Sequence, residues 1–196
     1  EDRVVVKPNT TPDLGRAVSA GSGFLFTGRL SDEKGVLLLL DAWVASGLDG
    51  VERLVIAGDG PLRAEVERRA AGMGSVVVVG ALTPEQVRDW RTATAVGVFP
   101  STWYEAMSAA PESFACGRPV VATRIGGLAD VVDDTVGWSV EPRIDALAGA
   151  LRGAVDPVER QRRGSAARQR FELEFSPAVL LRRQLAAYAA AIDEVG

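Results

Sequence analysis

Residues 24–57 read FLFTGRLSDEKGVLLLLDAWVASGLDGVERLVIA, and their pattern sets the architecture. Phe24–Thr27 is a short apolar run closed by Gly28, which predicts a buried strand. Glu33–Ala45 carries an almost unbroken apolar stretch at helix length, so a buried helix is predicted there. Arg53–Ala57 is the next strand-like run, closed by Gly58-Asp59-Gly60-Pro61. One strand, one helix and a second strand in so few residues make a βαβ unit, whose strands run parallel.

The alternation continues outward. Leu62–Ala71 predicts a surface helix, Val76–Val79 a strand, and Pro84–Ala93 a helix with Thr83 as N-cap. Val96–Phe99, Pro119–Ala122 and Gly137–Val140 are further strands, with helices over Pro111–Cys116 and Leu128–Val132. Ile144–Val155, Val158–Glu174 and Pro177–Val195 close the chain as three helical stretches. The strands are short, rich in Val and Phe and not strictly alternating, as strands covered on both faces are. The predicted fold class is α/β: a doubly wound, Rossmann-like parallel sheet with helices on both faces. It is one domain, with an entry strand (Val4–Val6) and loop over 1–22, a sheet core over 23–142 and C-terminal helices over 143–196.

The chain has 196 residues, 47% of them hydrophobic and 24% charged, an ordinary globular balance. Folding a chain of this size removes roughly 70% of its surface from water. It contains no histidine and one cysteine, Cys116, read as a buried packing thiol. A histidine-based catalytic triad or dyad within the chain, a Cys/His zinc site and an intrachain disulfide are therefore excluded. The net charge of -4 gives no electrostatic case for nucleic acid. No apolar run approaches the roughly 20 residues of a membrane span. The opening EDRVVVKPNTTPD has no signal-peptide layout, and the expected location is cytoplasmic. A chain that starts directly on a strand-like run reads as part of a longer protein. Of the basic residues only Lys7 and Lys34 are lysines, so the position of Lys34 stands out.

In doubly wound sheets ligands bind beyond the carboxyl ends of the strands. At the first such end, Gly28 admits a close ligand, Arg29 offers a planar fork and Lys34 a point charge. A helix beginning near Asp32 adds unpaired N–H groups, so the sum is a diphosphate cradle or a plain solvated turn. At the second, Gly58 and Asp59 begin a tight strand-to-helix turn. Leu82 follows the third strand, where it can pack beside a nucleobase. The fourth end is densest: Glu105 and Glu112 flank a loop of small residues, and a carboxylate can accept both hydroxyls of a sugar diol. Trp103 and Tyr104 can stack on a sugar or brace that loop. Gly126 and Gly127 form a turn after the fifth strand.

The segments FLFTGRLSDEKG, VIAGDGP, VGVFPSTWYE, ESFACGRPVVATRIGGLADVV and VGWSVEP occur in that order over Phe24–Pro142. Together they resemble the C-terminal, donor-binding domain of family-4 retaining glycosyltransferases, which have the two-domain GT-B architecture. The resemblance implies a hexosyltransferase that uses a nucleotide-diphosphate sugar, UDP- or GDP-linked, without a further cofactor, and the lack of an Asp-x-Asp motif predicts transfer without a metal. It implies that Gly28, Arg29 and Lys34 hold the diphosphate, that Glu112 contacts the ribose and that Glu105 contacts the transferred sugar. Gly58 and Asp59 match a turn beneath the nucleotide, and Gly126 and Gly127 one beside the donor site. Two departures stand out. The family usually places seven residues between the glutamates, and here Ala106–Pro111 is six. The Gly-Phe-Gly type of stretch is replaced by Ala106-Met107-Ser108. The shorter spacing puts Pro111 in the loop or the first helical turn.

The resemblance also implies a missing N-terminal acceptor domain, without which this chain is inactive, and a last helix that crosses back to it. A full-length protein of this kind can also associate peripherally with a membrane. The absence of histidine fits half of such an enzyme, because the family's usual histidine belongs to the partner domain and the departing phosphate oxygen can take the acceptor's proton. Two alternatives stay open. A nucleotide-sugar epimerase half has the same architecture, but it needs extra acid-base residues. A regulatory α/β module of receiver type needs a phosphorylatable Asp, and Asp59 lacks the accompanying acidic pair.

Overall fold

The computed structural model describes residues 11–17, 19–104 and 109–193. Six strands form one sheet: β1 Phe24–Thr27, β2 Leu54–Ala57, β3 Val76–Gly80, β4 Val96–Phe99, β5 Val120–Thr123 and β6 Gly137–Val140. Every pairing is parallel, and the order is β3-β2-β1-β4-β5-β6. The order reverses direction between β1 and β4, where a doubly wound sheet opens its ligand crevice. The predicted entry strand Val4–Val6 lies outside the described residues.

The helices are α1 Val36–Ser46, α2 Arg63–Ala70, α3 Pro84–Ala93, α4 Ala110–Ala115, α5 Gly127–Val131, α6 Ile144–Gly153, α7 Pro157–Arg170 and α8 Pro177–Asp193. Successive strand residues point to opposite faces, and both faces are covered. Phe24, Phe26, Ile56 and Val98 pack with α1 and α6, where Trp43 meets Phe24 edge-on at 5.4 Å. Leu25, Val55 and Ala57 face the other way, toward Trp90 of α3. Val120 and Ala122 share that second face with Phe114 of α4 and with Phe171 and Phe175. This two-sided burial explains why the strands read as continuous apolar runs rather than as alternating ones.

Helix α3 begins at a capping box. The Thr83 hydroxyl accepts from the Gln86 N–H at 3.3 Å, and the Gln86 side chain accepts from the Thr83 N–H at 2.9 Å. Thr83→Ala is expected to cost about 1 kcal/mol, lowering Tm by roughly 2–4 °C in a thermal melt. The far end of α3 is fastened by Arg118, whose guanidinium donates to the carbonyls of Arg91 and Thr92 and to that of Ala20 at 2.6 Å.

Two sequence expectations are corrected. The helix predicted from Glu33 is divided: Asp32–Lys34 form a 3-10 turn, Gly35 turns left-handed at φ 66°, and α1 starts only at Val36. A Cβ on Gly35 would stand 1.9 Å from the Pro100 carbonyl oxygen, so the chain after β4 dictates this break. The helix predicted over Val158–Glu174 ends at Arg170 and widens into a π turn over Phe171–Phe175, which seats both phenylalanines in the core.

Candidate functional site

The loops after β1 and β2 are laced together. The Gly28 N–H donates to the Ala57 carbonyl at 3.1 Å, and Leu30 N–H to that of Asp59 at 2.9 Å. Leu62 N–H returns to the Leu30 carbonyl at 2.9 Å. Gly58 sits at φ 147°, and a Cβ there would fall 1.8 Å from the Gly28 carbonyl oxygen. Only glycine fits this crossing, and it holds the Gly28 loop against β2.

The loop after β4 is fastened to the same region. Thr102 N–H donates to the Glu33 carbonyl at 2.9 Å and its hydroxyl to that of Asp32 at 2.7 Å. The Thr123 hydroxyl, at the end of β5, donates to the Ser101 carbonyl at 2.6 Å. Four strand ends, those of β1, β2, β4 and β5, thus share one hydrogen-bonded rim. Lys34 belongs to it: its Cδ lies 4.0 Å from where a Gly28 Cβ would be, so its stem passes over Gly28. Arg29 is exposed beside them. The Ser31 hydroxyl donates to Glu33 at 2.7 Å and holds that carboxyl below its usual range.

A cleft of about 420 Å³ opens at this edge, bounded by Thr27, Gly28, Leu82, Arg91, Ala109 and Glu112, with Pro12 and Leu14 from the entering segment. Gly28, Leu82 and Glu112, from three separate strand ends in the sequence, therefore line one space. Arg91 was not singled out by the sequence. It is only 7% exposed, its guanidinium pairs with the Glu112 carboxylate, and it donates to the Thr27 hydroxyl at 3.3 Å. A signal for it did exist. Arg91 follows Val87 by one helical turn, so it lies on the face of α3 turned to the cleft.

The other expected residues are placed differently. Asp59 turns inward on its own loop, accepting from the Gly60 N–H at 2.7 Å and pairing with Arg63 at 3.0 Å. These partners hold its carboxyl below the usual range, and it braces the turn without lining the cleft. Gly126 and Gly127 sit past the end of β5 and do not line the cleft. Glu105 lies outside the described residues, as do 106–108. Trp103 and Tyr104, just before them, are 72% and 76% exposed, so neither braces the loop by burial. Pro111 is buried in the first turn of α4, one residue before Glu112. Burial pushes the Cys116 thiol up, as expected of a packing cysteine. Among the described residues no group of three or more acidic or cysteine side chains is gathered as for a metal ion.

The family model for glycosyl transferases group 1 matches residues 21–156. The chain belongs to that family. A GDP-mannose-dependent alpha-(1-6)-phosphatidylinositol dimannoside mannosyltransferase of Mycobacterium tuberculosis is 38% identical over 144 residues, covering 72% of this chain and 38% of that protein. The group 1 chain described here thus spans about two fifths of that relative's length. Among solved structures, sucrose-phosphate synthase from Thermosynechococcus elongatus superposes with a TM-score of 0.74 at 28% identity, covering 91% of this chain and 50% of that one. HepE from Anabaena, solved in complex with UDP, superposes with a TM-score of 0.76 at 20% identity over 88% of this chain and 49% of that one. Group 1 membership agrees with the resemblance read from the sequence, and the doubly wound sheet is the shared fold.

Proposed function

We propose that this chain is the donor-binding domain of a retaining glycosyltransferase and that the cleft between β1 and α4 holds a nucleoside-diphosphate sugar. The observation that carries the reading is the meeting of Gly28, Leu82 and the Arg91–Glu112 pair around one cleft at the β1/β4 switch. Each feature suits one part of such a donor. Leu82 gives a base an apolar wall. Glu112, paired with Arg91, accepts two ribose hydroxyls. The bare backbone at Gly28, with Arg29 and Lys34 beside it, accommodates a diphosphate. Gly58 and Asp59 keep the loop beneath the nucleotide in shape, and Gly126 and Gly127, which do not line the cleft, are assigned beside the donor by resemblance alone. Glu105 is assigned to the transferred sugar by resemblance. Of the two expected donor types, UDP- or GDP-linked, the GDP-mannose dependence of the mycobacterial relative favours the GDP-linked one.

In the proposed reaction the bond from the sugar's anomeric carbon to the diphosphate oxygen breaks, and a bond to the acceptor hydroxyl oxygen forms on the same face. The acceptor's proton passes to the departing phosphate oxygen. No histidine of this chain is required, and none is present. Metal-independent transfer is part of the proposal, so the full-length enzyme is expected to keep its rate in excess EDTA. A rate abolished by EDTA and restored by a divalent ion would contradict it.

The reading includes an acceptor domain N-terminal to the entry segment, with 1–22 as the join, 23–142 as the donor-binding core and 143–196 as the return helices. Helix α8 supports it. Leu181, Leu185, Tyr188 and Ile192 recur at helical spacing and are all more than half exposed. That stripe is suited to covering by the acceptor domain. The reading also carries a cytoplasmic location. No described helix is long and apolar enough to cross a membrane.

The diphosphate assignment has its own test. Arg29→Ala and Lys34→Ala are each expected to weaken nucleoside-diphosphate binding by about 1–3 kcal/mol, read by calorimetry. Binding of the corresponding nucleoside should hardly change. Equal losses for both ligands would remove the two residues from the cradle.

A further inference from the structure

The edge of the sheet opposite the cleft, where β4 and β5 begin, holds a second cavity, of about 370 Å³. Arg16, Arg118 and Arg160 line it, with Ser19, Gln161 and Ser165, and no aspartate or glutamate is among its described lining residues. Such a volume suits a small-molecule ligand.

The charges around it are unevenly matched. Arg160 is paired with Glu52 at 2.8 Å, a residue that does not line the cavity. Arg118 is only 6% exposed, yet all its described partners are backbone carbonyls: Ala20, Arg91 and Thr92. These bonds take its Nε–H and one N–H from each terminal nitrogen, leaving a second N–H on each. Carbonyl dipoles solvate the guanidinium, but they do not neutralise it. Burial pulls its pKa down from the ordinary arginine value. Arg16, which also lines the cavity, has among the described residues one side-chain hydrogen bond, to the Ser165 hydroxyl at 3.3 Å. Two guanidinium groups without a carboxylate partner among the described residues therefore share one polar cavity with two hydroxyls and an amide.

We propose that this cavity binds a small phosphate-bearing anion, at a site separate from the donor cleft. Phosphate oxygens match the planar N–H forks of Arg16 and Arg118, and Ser19, Gln161 and Ser165 can serve the remaining oxygens or an attached polar group. The bound anion supplies the charge that Arg118 lacks.

The test uses inorganic phosphate and glucose 6-phosphate as probes, with chloride at matched ionic strength as reference. The donor cleft also attracts phosphate under the reading above, so the titration is run on the Arg29→Ala/Lys34→Ala variant. Binding of at least one probe at millimolar concentration or below is expected to persist in that variant. Adding Arg16→Gln should weaken it at least tenfold, with the melting temperature in chloride unchanged. Arg16 is chosen because Arg118 also fastens the end of α3, so its loss would disturb the fold itself. Absence of binding in the Arg29→Ala/Lys34→Ala variant overturns the proposal, as does binding that Arg16→Gln leaves intact. Either result leaves nucleotide binding by the wild-type chain, and with it the donor-site reading, to stand or fall separately.

Discussion

Arg91→Met is expected to lower both stability and nucleotide affinity, and the two losses can be separated. The guanidinium is nearly buried and pairs with Glu112, so its removal strands a carboxylate at the cleft wall. Breaking a fully buried pair costs about 3–5 kcal/mol. Glu112 keeps a third of its surface in water, so the expected cost is smaller, about 2–3 kcal/mol. For a domain of this size that is a fall in Tm of roughly 5–10 °C. The affinity loss has a separate origin. Without Arg91 the carboxylate is no longer held toward the space where the ribose is proposed to lie. Binding of the cognate ribonucleotide should weaken about tenfold or more, equivalent to at least about 1.4 kcal/mol. The 2′,3′-dideoxy analogue, which lacks the diol, should be little affected. Arg91→Met/Glu112→Leu removes both charges and should recover much of the stability while leaving ribonucleotide binding lost. A single variant that melts lower but still distinguishes ribose from dideoxyribose as the wild type does would make Arg91 a purely structural residue.

Gly58→Ala is the second large effect. A methyl at this position would lie 1.8 Å from the Gly28 carbonyl oxygen, on a backbone at φ 147° that an alanine rarely adopts. Backbone strain contributes about 1–3 kcal/mol and the forced overlap about as much again. A total near 4 kcal/mol corresponds to a drop in Tm of roughly 8–16 °C. The displaced group is the Gly28 loop itself, so diphosphate binding should fall even at temperatures where the variant is folded. A Gly58→Ala protein with wild-type melting and wild-type nucleoside-diphosphate affinity would show that the two loops do not depend on each other.

Much of this was legible in the sequence because it is written locally. The limits of β1, β4, β6 and α3 follow from apolar runs bounded by glycine, proline and a capping threonine, and the structure keeps them. Gly28, Leu82 and Glu112, which line one cleft in the structure, could be picked out together because ligand sites in such sheets gather at strand ends. What escaped depends on contacts distant in sequence. Asp32–Lys34 have ordinary helical character, and only the approach of Pro100 to Gly35 turns them into a separate 3-10 turn. Arg91 reads as one more surface arginine until Glu112 and Thr27 are brought to it. Arg118 is buried likewise by contacts distant in sequence, donating to the carbonyls of Arg91 and Thr92 at the end of α3. Asp59 reads as part of a tight turn that the family places beneath the nucleotide, and which groups engage its side chain, the Gly60 N–H and Arg63, is seen only in the structure.

The central claim is that the cleft at the β1/β4 switch takes the nucleotide part of a sugar donor. Calorimetric titration of the chain with GDP, UDP and ADP tests it most directly, with circular dichroism confirming the folded state. The account predicts saturable binding of at least one of the three, weakened at least tenfold by Glu112→Gln. No binding of any of them at millimolar concentration by a folded chain, or binding that Glu112→Gln leaves unchanged, would contradict it.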